Sequence, residues 1–382
     1  MDLAIEQNVK FVLIAGDLYD GNWKNFQTGM FFVKQAARLR AAGIPLFLIA
    51  GNHDAANKMT RSLPLPDNVT FFSAAAPQTV VLRDVDVAIH GQSFATAEVL
   101  EDLSLAYPAA DRGCLNIGLL HTSADGREDH DPYAPCSLEG LKLKGYDYWA
   151  LGHIHKREVL CQEPLIAFSG NIQGRHIRET GPKGCFLVTV HNNRRLESVF
   201  HPLDVMRWEV AMVDLQPVNH LDEVPSQVSD ALERLVCQAA DRPLAIRIEL
   251  HGATKLHREL QAEQEHWVHQ FRSLALDVGQ GRIWIEKVKL RTADRLRMGP
   301  ARQADEAAIG ELIELFKEVR IKPALLDDIG FDFDTVVKKL PPELKTRFGM
   351  GTQNEVWLAE VLDQAESWLL HRLQTGPDVH DS

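Results

Sequence analysis

The chain has 382 residues, with 41 Lys and Arg against 53 Asp and Glu and a formal net charge of -12. That length exceeds what one hydrophobic core usually fills, so two or three domains are expected. A hydrophobic share of 45% with 25% charged residues excludes a disordered or fibrous chain. The acidic balance excludes a global positive field that would draw nucleic acid to the whole molecule, so such a substrate has to be argued from a local site. Cations held by carboxylates and imidazoles would add positive charge that a residue count omits.

Five cysteines, Cys114, Cys136, Cys161, Cys185 and Cys237, lie far apart with no Cys-x-x-Cys pair. That spacing argues against a zinc ribbon, a thioredoxin motif or a disulfide framework. The first residues, Met1-Asp2-Leu3-Ala4-Ile5-Glu6, lack a basic region followed by an apolar run, and no stretch of about 18 apolar residues occurs. The expectation is a chain of the reducing cytoplasm with no membrane partner.

In chain order, residues 2–8 read as the tail of a helix running into a strand at 9–14, which ends at Gly16-Asp17. Residues 26–42 carry apolar side chains at helical spacing and stop at Gly43. A strand at 44–49 ends at Gly51-Asn52-His53-Asp54, one at 116–120 ends at His121, and one at 146–151 ends at Gly152-His153. Four strands therefore deliver polar residues at their C-terminal ends, where α/β sheets bind ligands. Residues 80–91 and 164–200 are richer in β-branched residues and turns, which suggests a second, mainly antiparallel sheet. From about 204 the order becomes strand (207–210), helix (221–239), strand (244–250), helix (257–274), strand (282–290), a βαβαβ unit. After Thr292 the chain is polar and helical, with a Pro341-Pro342 break and a last amphipathic helix at 354–373.

Taken singly, each polar motif has an ordinary explanation. Asp17 in Gly16-Asp17-Leu18-Tyr19-Asp20 is a good helix cap, Gly51-Asn52-His53-Asp54 is a good turn, and His153 and His155 share one side of an extended segment. Asp20 reads equally well as support for a ligand or as a cap. Together, an Asp, an Asn-His pair, a His and a His-x-His, all at strand ends, make coincidence the weaker explanation.

The combined strings Gly-Asp-Leu-Tyr-Asp, Gly-Asn-His-Asp, Gly-Leu-Leu-His-Thr-Ser and Leu-Gly-His-Ile-His resemble the calcineurin-like metallophosphoesterases, within them the SbcD/YhaO-type DNA-repair exonucleases. The likeness covers about the first 200 residues. Softer similarity extends to Ser62-Leu63-Pro64-Leu65-Pro66 and Gly170-Asn171-Ile172-Gln173-Gly174-Arg175-His176. The resemblance implies an α/β (α+β) fold, a two-sheet sandwich flanked by helices, at 1–203. A smaller α/β capping domain would follow at 204–292, and a helical region at 293–382.

The same resemblance implies hydrolysis of DNA phosphodiester bonds with two divalent metal ions, manganese above all. Asp17 would bridge the metals. Asn52, His121 and His153 would complete the second metal's shell, and His155 would join Asp17 on the first. Carboxylate, imidazole and amide oxygen suit such ions, which lower the pKa of a shared water and clamp phosphate oxygens. His53 would stand over the phosphate without touching metal, with Asp54 orienting its ring. The implied partners are DNA, an SMC-like ATPase and a second copy in a homodimer. Two rivals remain: a metallophosphoesterase for a small substrate, and a non-catalytic scaffold for the ATPase.

The family pattern opens with Asp-x-His, yet only sixteen residues precede Asp17 and none is a histidine. Either the sequence starts late or the first strand has been lost; the intact later motifs favour the late start. As written, the first metal site is expected to hold only Asp17 and His155.

Overall fold

The computed structural model describes residues 1–19, 26–56, 64–124, 133–294, 306–322, 359, 361–366 and 368–369. Asp20 and Ser62-Leu63 lie outside the described residues, as do most of the expected last helix and the proline pair. The chain divides into two compact units, Met1–Val205 and Met206–Ser382.

In the first unit a short helix α1 (Asp2–Glu6) leads into β1 (Val12–Ile14), and α2 (Phe26–Ala41) connects to β2 (Leu46–Leu48). α2 stops where expected: Gly43 follows with φ +70°, a left-handed conformation that glycine adopts without strain. α3 (Asn52–Ala56) precedes β3 (Val69–Phe71). Strands β1, β2 and β3 form a parallel sheet in that order. Next come β4 (Gln78–Leu82), β5 (Val87–Gly91), β6 (Leu115–His121), α4 (Leu138–Leu143), β7 (Tyr148–Gly152), β8 (Glu158–Cys161) and β9 (Leu165–Phe168). They build a six-stranded sheet of order β4-β5-β6-β7-β9-β8. A hairpin, β10 (Gly184–Val190) and β11 (Leu196–Pro202), closes the unit.

Alternation along the strands sorts side chains into layers. Phe47 and Ile49, with Leu13, face Ile89, Ile117, Leu119, Ala150 and Ala167 of the six-stranded sheet, and Phe186 and Val188 of the hairpin join the same core. The opposite side of the three-stranded sheet buries Leu46 and Leu48 against Phe32 and Leu39 of α2. The opposite side of the larger sheet buries Leu120, Trp149, Leu151 and Phe168 with Leu141 of α4. The expected sandwich flanked by helices is what the unit forms.

One expectation changes. Of the β-branched segments only the β10–β11 hairpin makes a separate antiparallel sheet; β5 and β9 pair in parallel with β6 and β7, and only the edge strands β4 and β8 run antiparallel in that sheet. Both β5 and β9 are buried along their whole length, as central parallel strands require. β-branched content reports burial here rather than strand direction.

The second unit opens as the expected βαβαβ: β12 (Arg207–Asp214), α5 (Val224–Gln238), β13 (Leu244–Thr254), α6 (His257–Ala262), α7 (Gln264–Gly279) and β14 (Ile283–Asp294). Its sheet is parallel, in the order β12-β13-β14. Residues 257–274, expected as one helix, are two, because Glu263 leaves helical geometry at φ -113° and ψ 34° while the apolar spacing continues past it. A further helix α8 (Glu306–Ile321) packs Phe316 and Val319 against Leu362. Among the described residues no helix is long and apolar enough to cross a membrane, and the five cysteines are free.

Trp149 is fully buried, donates its indole N–H to the Leu141 carbonyl at 3.1 Å and stacks on Tyr146 at 4.8 Å. Trp149→Ala should therefore cost about 3–5 kcal/mol. Urea unfolding followed by circular dichroism checks this, and a loss under about 1 kcal/mol would mean the layer repacks around the void.

Candidate metal centre

The four polar strand ends belong to two different sheets. β1 and β2 deliver Asp17 and Asn52 from the three-stranded sheet, and β6 and β7 deliver His121 and His153 from the six-stranded one. Close approach of these ends depends on glycine. A Cβ on Gly152 would lie 1.8 Å from the Ala15 carbonyl oxygen, and one on Gly51 would lie 2.3 Å from Asp17 Oδ1 and 2.5 Å from His121 Cε1. Neither contact is sterically possible, so only glycine lets the two sheets meet here.

Asp17 (φ +51°) and His153 (φ +100°) both have left-handed backbone, uncommon for residues other than glycine and a feature of positions held for a purpose. One donor atom from each of Asp17, His121 and His153 lies within 4.8 Å of the others. Asn52 Oδ1 approaches His121 Nε2 at 3.0 Å, which brings all four residues expected at the second metal into one cluster. His155 is not in the three-residue group; its Nδ1 stands 2.6 Å from Glu179 Oε1.

The His121 ring tests whether the cluster suits a cation. Its Nδ1 lies 2.8 Å from the Ala15 carbonyl oxygen, which can only accept, so Nδ1 carries the proton. Its Nε2 then faces two more acceptors, Asn52 Oδ1 at 3.0 Å and Asp17 Oδ2 at 3.4 Å. Three electron-rich atoms that converge in this way form a pocket that a bound cation would satisfy. The donor set fits a divalent metal. Aromatic neighbours fix the rings: Phe94 meets His121 edge-on at 5.2 Å, and Tyr133 meets His153 at 5.5 Å.

Burial alone would push the Asp17 carboxyl up, but the His121 hydrogen bond and charge, with a smaller effect from His53, hold it below the usual carboxylate range. Asp17 therefore presents an anion. Asp17 Oδ1 also accepts the His53 backbone N–H at 3.0 Å, which places His53 at the edge of the cluster.

Asp54 has a further structural task. Its carboxylate accepts the backbone amides of Leu18 (3.1 Å), Tyr19 (3.2 Å) and Gly51 (3.2 Å). It is 3% exposed. Burial pushes its pKa up against those amides, and the negative charge of Asp17 adds to the rise. Asp54 satisfies backbone donors of both turns and so ties one turn to the other.

Sequence reasoning missed Glu179, a buried carboxylate whose hydrogen bonds to His155, Asn171 and Arg175 bind the 171–179 loop to the site. The only signal was its position just beyond the similar stretch ending at His176.

Comparison with known proteins adds to this geometry. Residues 1–157 match the family model for calcineurin-like phosphoesterases, and residues 208–293 match that for the middle domain of metallophosphoesterase YhaO. The uncharacterized metallophosphoesterase YhaO of Bacillus subtilis is 36% identical over 257 residues, 66% of this chain and 62% of that protein. The chain thus spans somewhat less than two thirds of the Bacillus protein's length. The DNA double-strand break repair protein Mre11 of Sulfolobus acidocaldarius is 24% identical over 290 residues, 70% of this chain and 72% of that one. Its namesake from Thermoplasma acidophilum is 21% identical over 326 residues, covering 80% and 84%.

The substitution Gly51→Ala should lower Mn2+ affinity by at least ~10-fold, the scale typical when groups that orient metal ligands are disturbed. Calorimetric titration checks this, alongside a circular dichroism spectrum showing the fold retained. Unchanged affinity would mean the turn moves without displacing its donors.

Proposed function

Residues 1–157 belong to the calcineurin-like phosphoesterases and residues 208–293 are a YhaO middle domain, and from that premise we propose that the chain is a DNA-repair exonuclease subunit using two divalent ions, manganese above all. The observation that carries this reading is the convergence of Asp17, Asn52, His121 and His153 from two sheets. Such ions supply an activated water and a clamp on the phosphate oxygens.

The chain's own residues do the rest. Asp17, ionised and central, would bridge the ions. His121 would offer Nε2, with its tautomer set by Ala15. Asn52 and His153 would complete that site, and His155 with Asp17 would serve the other. His53, anchored through its amide to Asp17, would set its ring over the phosphate and donate a proton to the leaving oxygen. Asp54 would keep both turns in register. The archaeal relatives named for DNA double-strand break repair support DNA over a small phosphoester, as does the added middle domain. The C-terminal helices would be the docking surface for an SMC-like ATPase.

The test is hydrolysis of linear double-stranded DNA and of a small phosphodiester, with Mn2+ and after chelation. DNA should be degraded from its ends and only with metal. Turnover of the small diester alone would favour a small-substrate enzyme, and turnover of neither a scaffold. In the active protein His53→Ala should reduce turnover by about 10²-fold or more while calorimetry shows Mn2+ binding nearly unchanged. Lost metal affinity would reassign His53 as a ligand.

A further inference from the structure

The carboxylate of Glu179 is 6% exposed, and both of its oxygens are engaged. Oε1 lies 2.6 Å from His155 Nδ1. Oε2 accepts the Asn171 side-chain amide at 3.0 Å and the Arg175 backbone N–H at 2.8 Å. The guanidinium of Arg175 stands 3.6 Å from Oε1. The main chain of His155 is held from the same segment: its carbonyl accepts from the Lys183 ammonium at 3.2 Å and from the Asn171 N–H at 3.3 Å. Ring and backbone of His155 are thus both gripped by residues 171–183, a more elaborate hold than an ion pair at a strand end needs.

We propose that Glu179 is the positioning residue that sets the orientation and tautomer of His155, so that Nε2 is the nitrogen offered to a metal ion. This rests on reading His155 as a metal ligand. An ionised carboxylate only accepts, so the proton of a neutral His155 ring must sit on Nδ1 and the lone pair on Nε2. The preference would reverse in Glu179→Gln. Asn171 and Arg175 both donate to one oxygen, so the glutamine carbonyl would stay with them and its NH2 would turn to His155. Nδ1 would then have to accept, the proton would move to Nε2, and the ligating position would be blocked without loss of a hydrogen bond.

Long-range 15N–1H correlation spectra of the metal-free full chain, labelled at histidine, read this directly, with the His155 signals assigned by their absence in His155→Ala. The expected result is an Nδ1–H tautomer in the parent protein and an Nε2–H tautomer in Glu179→Gln at neutral pH. Titration with Zn2+, a diamagnetic probe, should shift the His155 Nε2 signal in the parent. The same shift should need at least ~10-fold more Zn2+ in Glu179→Gln, while the His121 signals respond as in the parent.

A Glu179→Gln ring that keeps the Nδ1–H form, or an inverted ring with undiminished Zn2+ response, would overturn the proposal. So would equal weakening at His121 and His155 together with a lowered melting temperature, since that describes a merely structural residue. If Zn2+ never shifts His155 in the parent while it shifts His121, His155 is no ligand and that part of the functional reading fails, whatever the tautomer does.

Discussion

The hydrogen bond from the His121 ring to the Ala15 carbonyl joins the end of a strand in the six-stranded sheet to the end of one in the three-stranded sheet, and the rest of the site depends on it. It sets the distance between the layers at the point where both present their donors. It also decides which His121 nitrogen points at Asp17 and Asn52. The missing side chain at Gly152 permits it, because any Cβ there would collide with the same carbonyl. One contact thus fixes both the seam of the sandwich and the chemistry of its edge.

Around that seam the fold spends its buried polar groups on holding turns. Asp54 accepts three amides from two loops, and Glu179 accepts from a ring, a side-chain amide and a backbone amide. Each is a carboxylate with little solvent, so each is stable only while its donors stay in place. Neither is a donor in the Asp17–His121–His153 group. They give that group its rigidity, and losing their partners would cost more than the sum of the individual bonds suggests.

Much of this was legible in the sequence. Asp17, Asn52, His121 and His153 announce themselves because each ends an apolar run, and strand ends are where an α/β fold gathers function. The sandwich and the βαβαβ unit follow from the same runs. What the sequence hides is pairing: nothing in 80–91 or 164–200 says whether a buried strand meets a parallel or an antiparallel neighbour, and β5 and β9 each have one of both kinds. The tie that Asp54 makes between the turns was not legible, because the backbone donors it satisfies lie about 35 residues away in Leu18 and Tyr19. Glu179 stayed invisible for a similar reason, since its hold on His155 spans 24 positions.

Because the donors come half from one sheet and half from the other, any ion they hold is also a rivet through the sandwich. Pulling the layers apart would then break coordination bonds as well as the hydrophobic core between Phe47 and Leu119. Resistance to unfolding becomes a function of free metal, rising with the logarithm of its concentration once the site is mostly filled. A chain starved of metal would be more easily pried open at this seam. Withholding the ion would shorten the life of the folded chain.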